Sequence, residues 1–118
     1  GIEYYFSKEE LNPFLIYCNG KIAGFVLLNS GKYVPKDIEY SIHEIFILKS
    51  FRGKGVATNA IKKLFDMYKG KYKVKQLQDN KLAVNFWSKF YKNEDIDYEE
   101  EVEVIDGFNG CSQVFEVL

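Results

Sequence analysis

An α/β (α+β) fold built on a mixed central sheet is what this sequence predicts, on three observations. An Asn-Gly turn joins two apolar runs, a hydrophobic strand gives way to an amphipathic helix and a further strand, and two alternating segments close the chain. The 118 residues suffice for one domain and not for two. With apolar residues at 47% and charged residues at 28%, the chain has the composition of a globular protein and not of a disordered one.

The elements follow in order. Residues 13–19 (PFLIYCN) are apolar and end at Asn19-Gly20, and 21–29 (KIAGFVLLN) are apolar again, which is the strongest short-range signal for a hairpin. After a polar connection over 30–37, residues 38–48 (IEYSIHEIFIL) read as a strand. Strict alternation places Tyr40, Ile42, Glu44, Phe46 and Leu48 on one face and Ser41, His43, Ile45 and Ile47 on the other, unless a bulge intervenes. Both faces are apolar near its end, as a central strand requires. From 56 to 69 the apolar residues Ala57, Ala60, Ile61, Leu64, Phe65 and Tyr68 recur at three and four, so the segment is an amphipathic helix, with Gly70 expected as its cap. Residues 71–78 (KYKVKQLQ) alternate as a strand, completing a right-handed crossover with parallel strands. Asp79 or Asn80 can cap a second helix over 81–92, with Leu82, Ala83, Phe86, Trp87 and Phe90 on one side. Residues 100–105 and 112–118 alternate on either side of a turn through 106–110, predicting a final hairpin.

The formal net charge of −1 gives no global attraction to nucleic acid or to anionic lipid. Charge is nevertheless uneven. Lysines and Arg52 crowd the middle of the chain, whereas seven carboxylates fall between Glu94 and Glu103. That contrast suggests an anionic ligand in one place and a cationic acceptor in another, against the plainer reading of two solvated faces. Cys18 and Cys111 lack paired spacing, so neither a metal site nor a disulfide is indicated, and free thiols fit a cytoplasmic protein. No apolar run approaches the roughly 20 residues of a membrane span, and no signal peptide opens the sequence. The opening at Gly1 reads as the interior of a longer chain.

Chemistry concentrates at Ser50-Phe51-Arg52-Gly53-Lys54-Gly55-Val56-Ala57, between the central strand and the first helix. Amides there have no intrahelical partner, glycines permit close approach, and the helix dipole favours negative charge, which Arg52 and Lys54 reinforce. A pyrophosphate is the natural ligand. The loop matches neither the Walker pattern nor the three-glycine dinucleotide fingerprint.

Arg52-x-x-Gly55-x-Ala57 resembles the Gln/Arg-x-x-Gly-x-Gly/Ala signature of the GNAT N-acetyltransferase superfamily. The run from His43 to Leu48 is similar to that family's fourth strand, and Asn80-Lys81-Leu82-Ala83 with Phe86-Trp87 is similar to its Asn-x-x-Ala-x-x-Phe-Tyr helix. The likeness implies a GNAT acyl-CoA N-acyltransferase fold, with acetyl-CoA as co-substrate, no metal, and a small-molecule or peptide amine as acceptor. It implies that the backbones of Ile45, Phe46 and Ile47 pair with the pantetheine arm. The amides of Arg52, Gly53, Lys54, Gly55, Val56, Ala57 and Thr58 would hold the pyrophosphate, with Asn80, Asn85 and Trp87 approaching the arm from the second helix. A homodimer is compatible with the sequence. Against the family pattern, the first strand and the first two helices are missing, and residues 2–11 are the expected remnant.

Acetyl transfer needs a base for the amine, and the resemblance implies Glu44, whose pKa the flanking Ile42 and Phe46 would raise. The single histidine, His43, is expected to be structural. Where relatives place an acidic tyrosine this chain has Trp87, an indole that is no useful acid, so Tyr91, one turn later, is the candidate to protonate the leaving thiolate. A non-catalytic acyl-CoA-binding module on the same fold is the alternative.

Overall fold

The computed structural model describes residues 10–118. Its strands are β1 (Leu11–Cys18), β2 (Lys21–Ser30), β3 (Tyr40–Ile47), β4 (Gly70–Leu77), β5 (Glu99–Ile105) and β6 (Phe108–Val117). Helix α1 (Val56–Met67) lies between β3 and β4, and α2 (Lys81–Asn93) follows β4. The strands form one mixed sheet in the order β1-β2-β3-β4-β6-β5, antiparallel except where β3 and β4 run parallel through the crossover. Among the described residues, no helix is long and apolar enough to cross a membrane.

Both helices pack on one face of this sheet. Ile61, Leu64 and Phe65 from α1 and Trp87, Phe90 and Tyr91 from α2 join Val26, Leu28, Ile42, Tyr72, Val74 and Phe115 in a single core. The aromatic composition is spent here: Tyr72 and Phe115 stack at 5.7 Å, and Phe65 meets Tyr72 edge-on at 4.7 Å. Each fully buried side chain of this kind is worth about 1.5–3 kcal/mol.

Three expectations need correction. Asn19 and Gly20, at φ 52° and 78°, turn the first hairpin as expected, but β3 does not alternate strictly. Its register with β2 passes from Leu28↔Ile42 to Leu27↔Glu44, so His43 is an inserted residue in a bulge. Ile42 and Ile45 therefore both face the helices, while Ser41, Glu44 and Phe46 face the opposite side. Gly70 is not the helix cap: the backbone is already extended at Tyr68, and Gly70 (φ 148°) opens β4 beside Glu39, where a Cβ would collide with the carboxylate. The last turn is Asp106-Gly107 alone, both with positive φ, which suits a two-residue hairpin and draws Phe108, Asn109 and Gly110 into β6. Residues 2–9 of the expected remnant lie outside the described residues.

Candidate functional site

Beyond β3 the chain passes through a 3-10 turn at Lys49–Phe51 and becomes extended at Arg52 (φ −75°, ψ 154°). It then turns through two left-handed glycines, Gly53 and Gly55, each at φ 76°. Gly55 caps α1, and the first intrahelical bond runs from Asn59 N–H to Gly55 O at 3.0 Å. The amides of Val56, Ala57 and Thr58 consequently have no carbonyl within the helix. A Cβ built on either glycine meets no protein atom within 4 Å, so the space beside the loop is open. These residues line a pocket of about 240 Å³ together with Ile47, Phe51 and Phe86. Lys54 is exposed beside the pocket and does not line it. Arg52 is turned back on the strand end: Nε donates to Ile47 O at 2.8 Å, and its guanidinium lies 5.6 Å from the centroid of the Phe46 ring.

Strands β3 and β4 pair at only three positions, Tyr40↔Tyr72, Ser41↔Lys73 and Ile42↔Val74, and then part. Leu48 N–H bonds Ala23 O at 2.7 Å, which fixes the alternation of the antiparallel ladder. Phe46 therefore turns its peptide groups toward β2, while those of Ile45 and Ile47 face the opening between β3 and β4. Of the three backbones expected to meet a pantetheine arm, Phe46 is already committed to the ladder, and the other two stand at the opening.

The second helix places its expected residues unevenly. Asn80 is the cap, its Oδ1 accepting from Ala83 N–H at 3.2 Å, and Asn85 is exposed. Trp87 is buried against Phe86, Phe90 and Tyr91. Tyr91 is 2% exposed, and its hydroxyl donates to Gln113 Oε1 at 3.0 Å, within a network where the Gln76 and Gln113 amides bond each other. Burial, then the neighbouring Tyr98, Glu100 and Cys111, push its pKa well above the ordinary tyrosine value. Its position and raised pKa both oppose the expected role as acid.

On the face away from the helices, the parted strands open into a cleft of about 730 Å³. The bulge brings both Glu44 and His43 to its lining, with Lys73 and Lys75 from β4 and Asp106 from the last turn. Glu44 is exposed and shares this face with Phe46 but not with Ile42, so only half of its expected apolar flank exists. None of the seven carboxylates from Glu94 to Glu103 lines the cleft. Glu94 pairs with Lys62, and Glu103 pairs with Lys73 and Lys75, whereas Asp95, Asp97 and Glu99 line a separate pocket of about 670 Å³. Sequence reading missed Lys73, Lys75 and Asn29 as cleft residues, although the alternation of KYKVK already set the lysines on one side of a strand.

A family model, the Acetyltransferase (GNAT) family, matches residues 2–91. The chain belongs to this family. Solved structures share the GNAT fold at low identity. The ribosomal-protein-S18-alanine N-acetyltransferase from Escherichia coli is similar at 15% identity and a TM-score of 0.70, over 99% of this chain and 77% of that one. An acetyltransferase from Thermus thermophilus reaches a TM-score of 0.74 at 13% identity, over 97% of this chain and 69% of that one. A GNAT family acetyltransferase from Elizabethkingia anophelis, with acetyl-CoA bound, gives 0.65 at 16% identity over 98% and 80%. No curated protein matches the sequence significantly.

Proposed function

We propose that this GNAT chain is an N-acetyltransferase that moves the acetyl group of acetyl-CoA to a primary amine by direct attack in a ternary complex. The observation that carries the reading is the set of helix-opening amides at Val56, Ala57 and Thr58, framed by two left-handed glycines at the end of a parted strand. Backbone N–H groups at a helix N-terminus suit a diphosphate, and the peptide groups of Ile45 with the N–H of Ile47, whose carbonyl already accepts from Arg52, suit an amide-bearing arm laid along the strand. The acetyl-CoA seen in the Elizabethkingia anophelis neighbour supports the same co-substrate.

Acetyl-CoA supplies the thioester carbonyl, and the chain supplies position and proton handling. The amine arrives as an ammonium and must lose a proton before it attacks; Glu44, exposed in the cleft at the bulge, takes that proton directly or through water. A peptide N–H of β3 at the opening, Ile47 first, polarises the thioester oxygen. As the new N–C bond forms, the C–S bond breaks with its electron pair on sulfur. The second nitrogen proton then reaches the thiolate through water, since Tyr91 is held in the core. Measuring thiol release against an amine panel tests this: turnover dependent on both acetyl-CoA and an amine is expected.

Trp87 and Tyr91, both packed inside the core, favour a second reading, a non-catalytic acyl-CoA-binding module. Tight binding of acetyl-CoA without thiol release from any amine would select it.

A further inference from the structure

The cleft opposite the helices carries groups of both charges, and their arrangement is uneven. Glu103 Oε2 lies 3.3 Å from Lys73 Nζ, and Glu103 Oε1 lies 3.2 Å from Lys75 Nζ; Ser112 donates to the same carboxylate at 2.8 Å. One carboxylate thus faces two ammonium groups, leaving one positive charge in that cluster, while Asp106 also lines the cleft. Each ammonium has three donors, so the contact with Glu103 orients both lysines without exhausting them. Lys73 and Lys75 line the cleft, whereas Glu103 stands behind them. Across the opening stands Glu44. Asn29 also lines the cleft, and its buried Oδ1 has no hydrogen-bond partner among the described residues.

We propose that the acceptor is a zwitterion, a small amine that also carries a carboxylate, with Lys73 and Lys75 holding the carboxylate while Glu44 receives the amine end. This rests on the transferase reading above and narrows its substrate. The lysines fix the far end of the acceptor, and its nitrogen then points at the parted strands where the thioester would lie. A carboxylate between two preset ammonium groups gains charge-assisted hydrogen bonds that a simple amine or a polyamine cannot make.

The test compares matched amines that differ by one carboxylate: glycine with methylamine, β-alanine with ethylamine, lysine with cadaverine, and phenylalanine with phenethylamine. Thiol release gives kcat/KM, and calorimetry separately gives acetyl-CoA affinity. The proposal expects the carboxylated member of at least one pair to be favoured by about tenfold or more, the scale of one charge-assisted contact. Lys75→Gln should erase most of that preference through KM, and Lys75→Arg should restore it. Equal or better rates with the decarboxylated amines overturn the proposal, as does a Lys75→Gln loss shared equally by both members of each pair. Bound acetyl-CoA with no turnover of any amine overturns it too and selects the non-catalytic reading. Absence of acetyl-CoA binding removes the transferase reading itself, and this inference with it.

Discussion

Gly55 would govern the proposed anion loop because its φ of 76° is one that side chains rarely adopt and because the space beside it is open. Gly55→Val is expected to weaken acetyl-CoA binding by about a hundredfold, equivalent to losing one or two charge-assisted hydrogen bonds. Gly55→Asn, which tolerates the left-handed backbone, separates bulk from strain: calorimetry should show lost affinity with a smaller loss in Tm. Glu44→Gln should leave acetyl-CoA affinity intact and lower kcat by about a hundredfold or more. If binding and turnover fall together, Glu44 is not the base. Tyr91→Phe strips the donor from Gln113 Oε1, so a stability loss of about 1 kcal/mol, read by urea unfolding, should accompany nearly unchanged turnover. A collapse of kcat in that variant would return Tyr91 to the acid role.

Among the elements, helix α2 depends on its cap, and Asn80 offers a clean comparison. Asn80→Ala should cost about 1 kcal/mol, whereas Asn80→Asp keeps the acceptor and should retain the stability. Should Asn80→Asp instead weaken acetyl-CoA binding severalfold, the amide nitrogen contacts the cofactor as the family resemblance implied. Much of this level could be read from the sequence: Asn19-Gly20, the three-and-four spacing before Met67 and the KYKVK alternation are local signals of local structure. The bulge at His43 could not be read, because it exists only in the register against Leu27 and Leu28. It also decides the site, since it is what lets Glu44 and His43 share the cleft. Gly70 misled for a related reason: a glycine after a helical run resembles a cap, and only its φ of 148° at the head of β4, a backbone that side chains rarely adopt, shows why glycine stands there. The glycine turn ahead of α1 was legible because Gly53 and Gly55 mark it locally. The cleft was not, because Asn29, Glu44, Lys75 and Asp106 come from four separate segments.

For the molecule as a whole, the single aromatic core sets both stability and its pH dependence. Ile61→Ala, at a fully buried position, should cost about 2–5 kcal/mol, a large part of the roughly 5–15 kcal/mol typical of a domain. Tyr72 and Tyr91 are both raised above the ordinary tyrosine pKa, chiefly by burial. Below about pH 10 the hydroxyls stay protonated in the folded and unfolded chain alike, so their contribution is complete. Above it the unfolded tyrosines ionise first, and stability falls as pH rises. Urea midpoints should therefore decline above about pH 10, and a flat profile to about pH 11 would contradict the burial of these hydroxyls. The core in turn joins β3 to α1, which would keep the proposed diphosphate site formed before any ligand arrives. Calorimetry comparing acetyl-CoA with S-acetylpantetheine, the same thioester arm without the diphosphate and nucleoside, tests that claim most directly. Acetyl-CoA should bind about a hundredfold tighter to the native chain, and the gap should close in Gly55→Val; equal affinities for the two ligands in the native chain would contradict it.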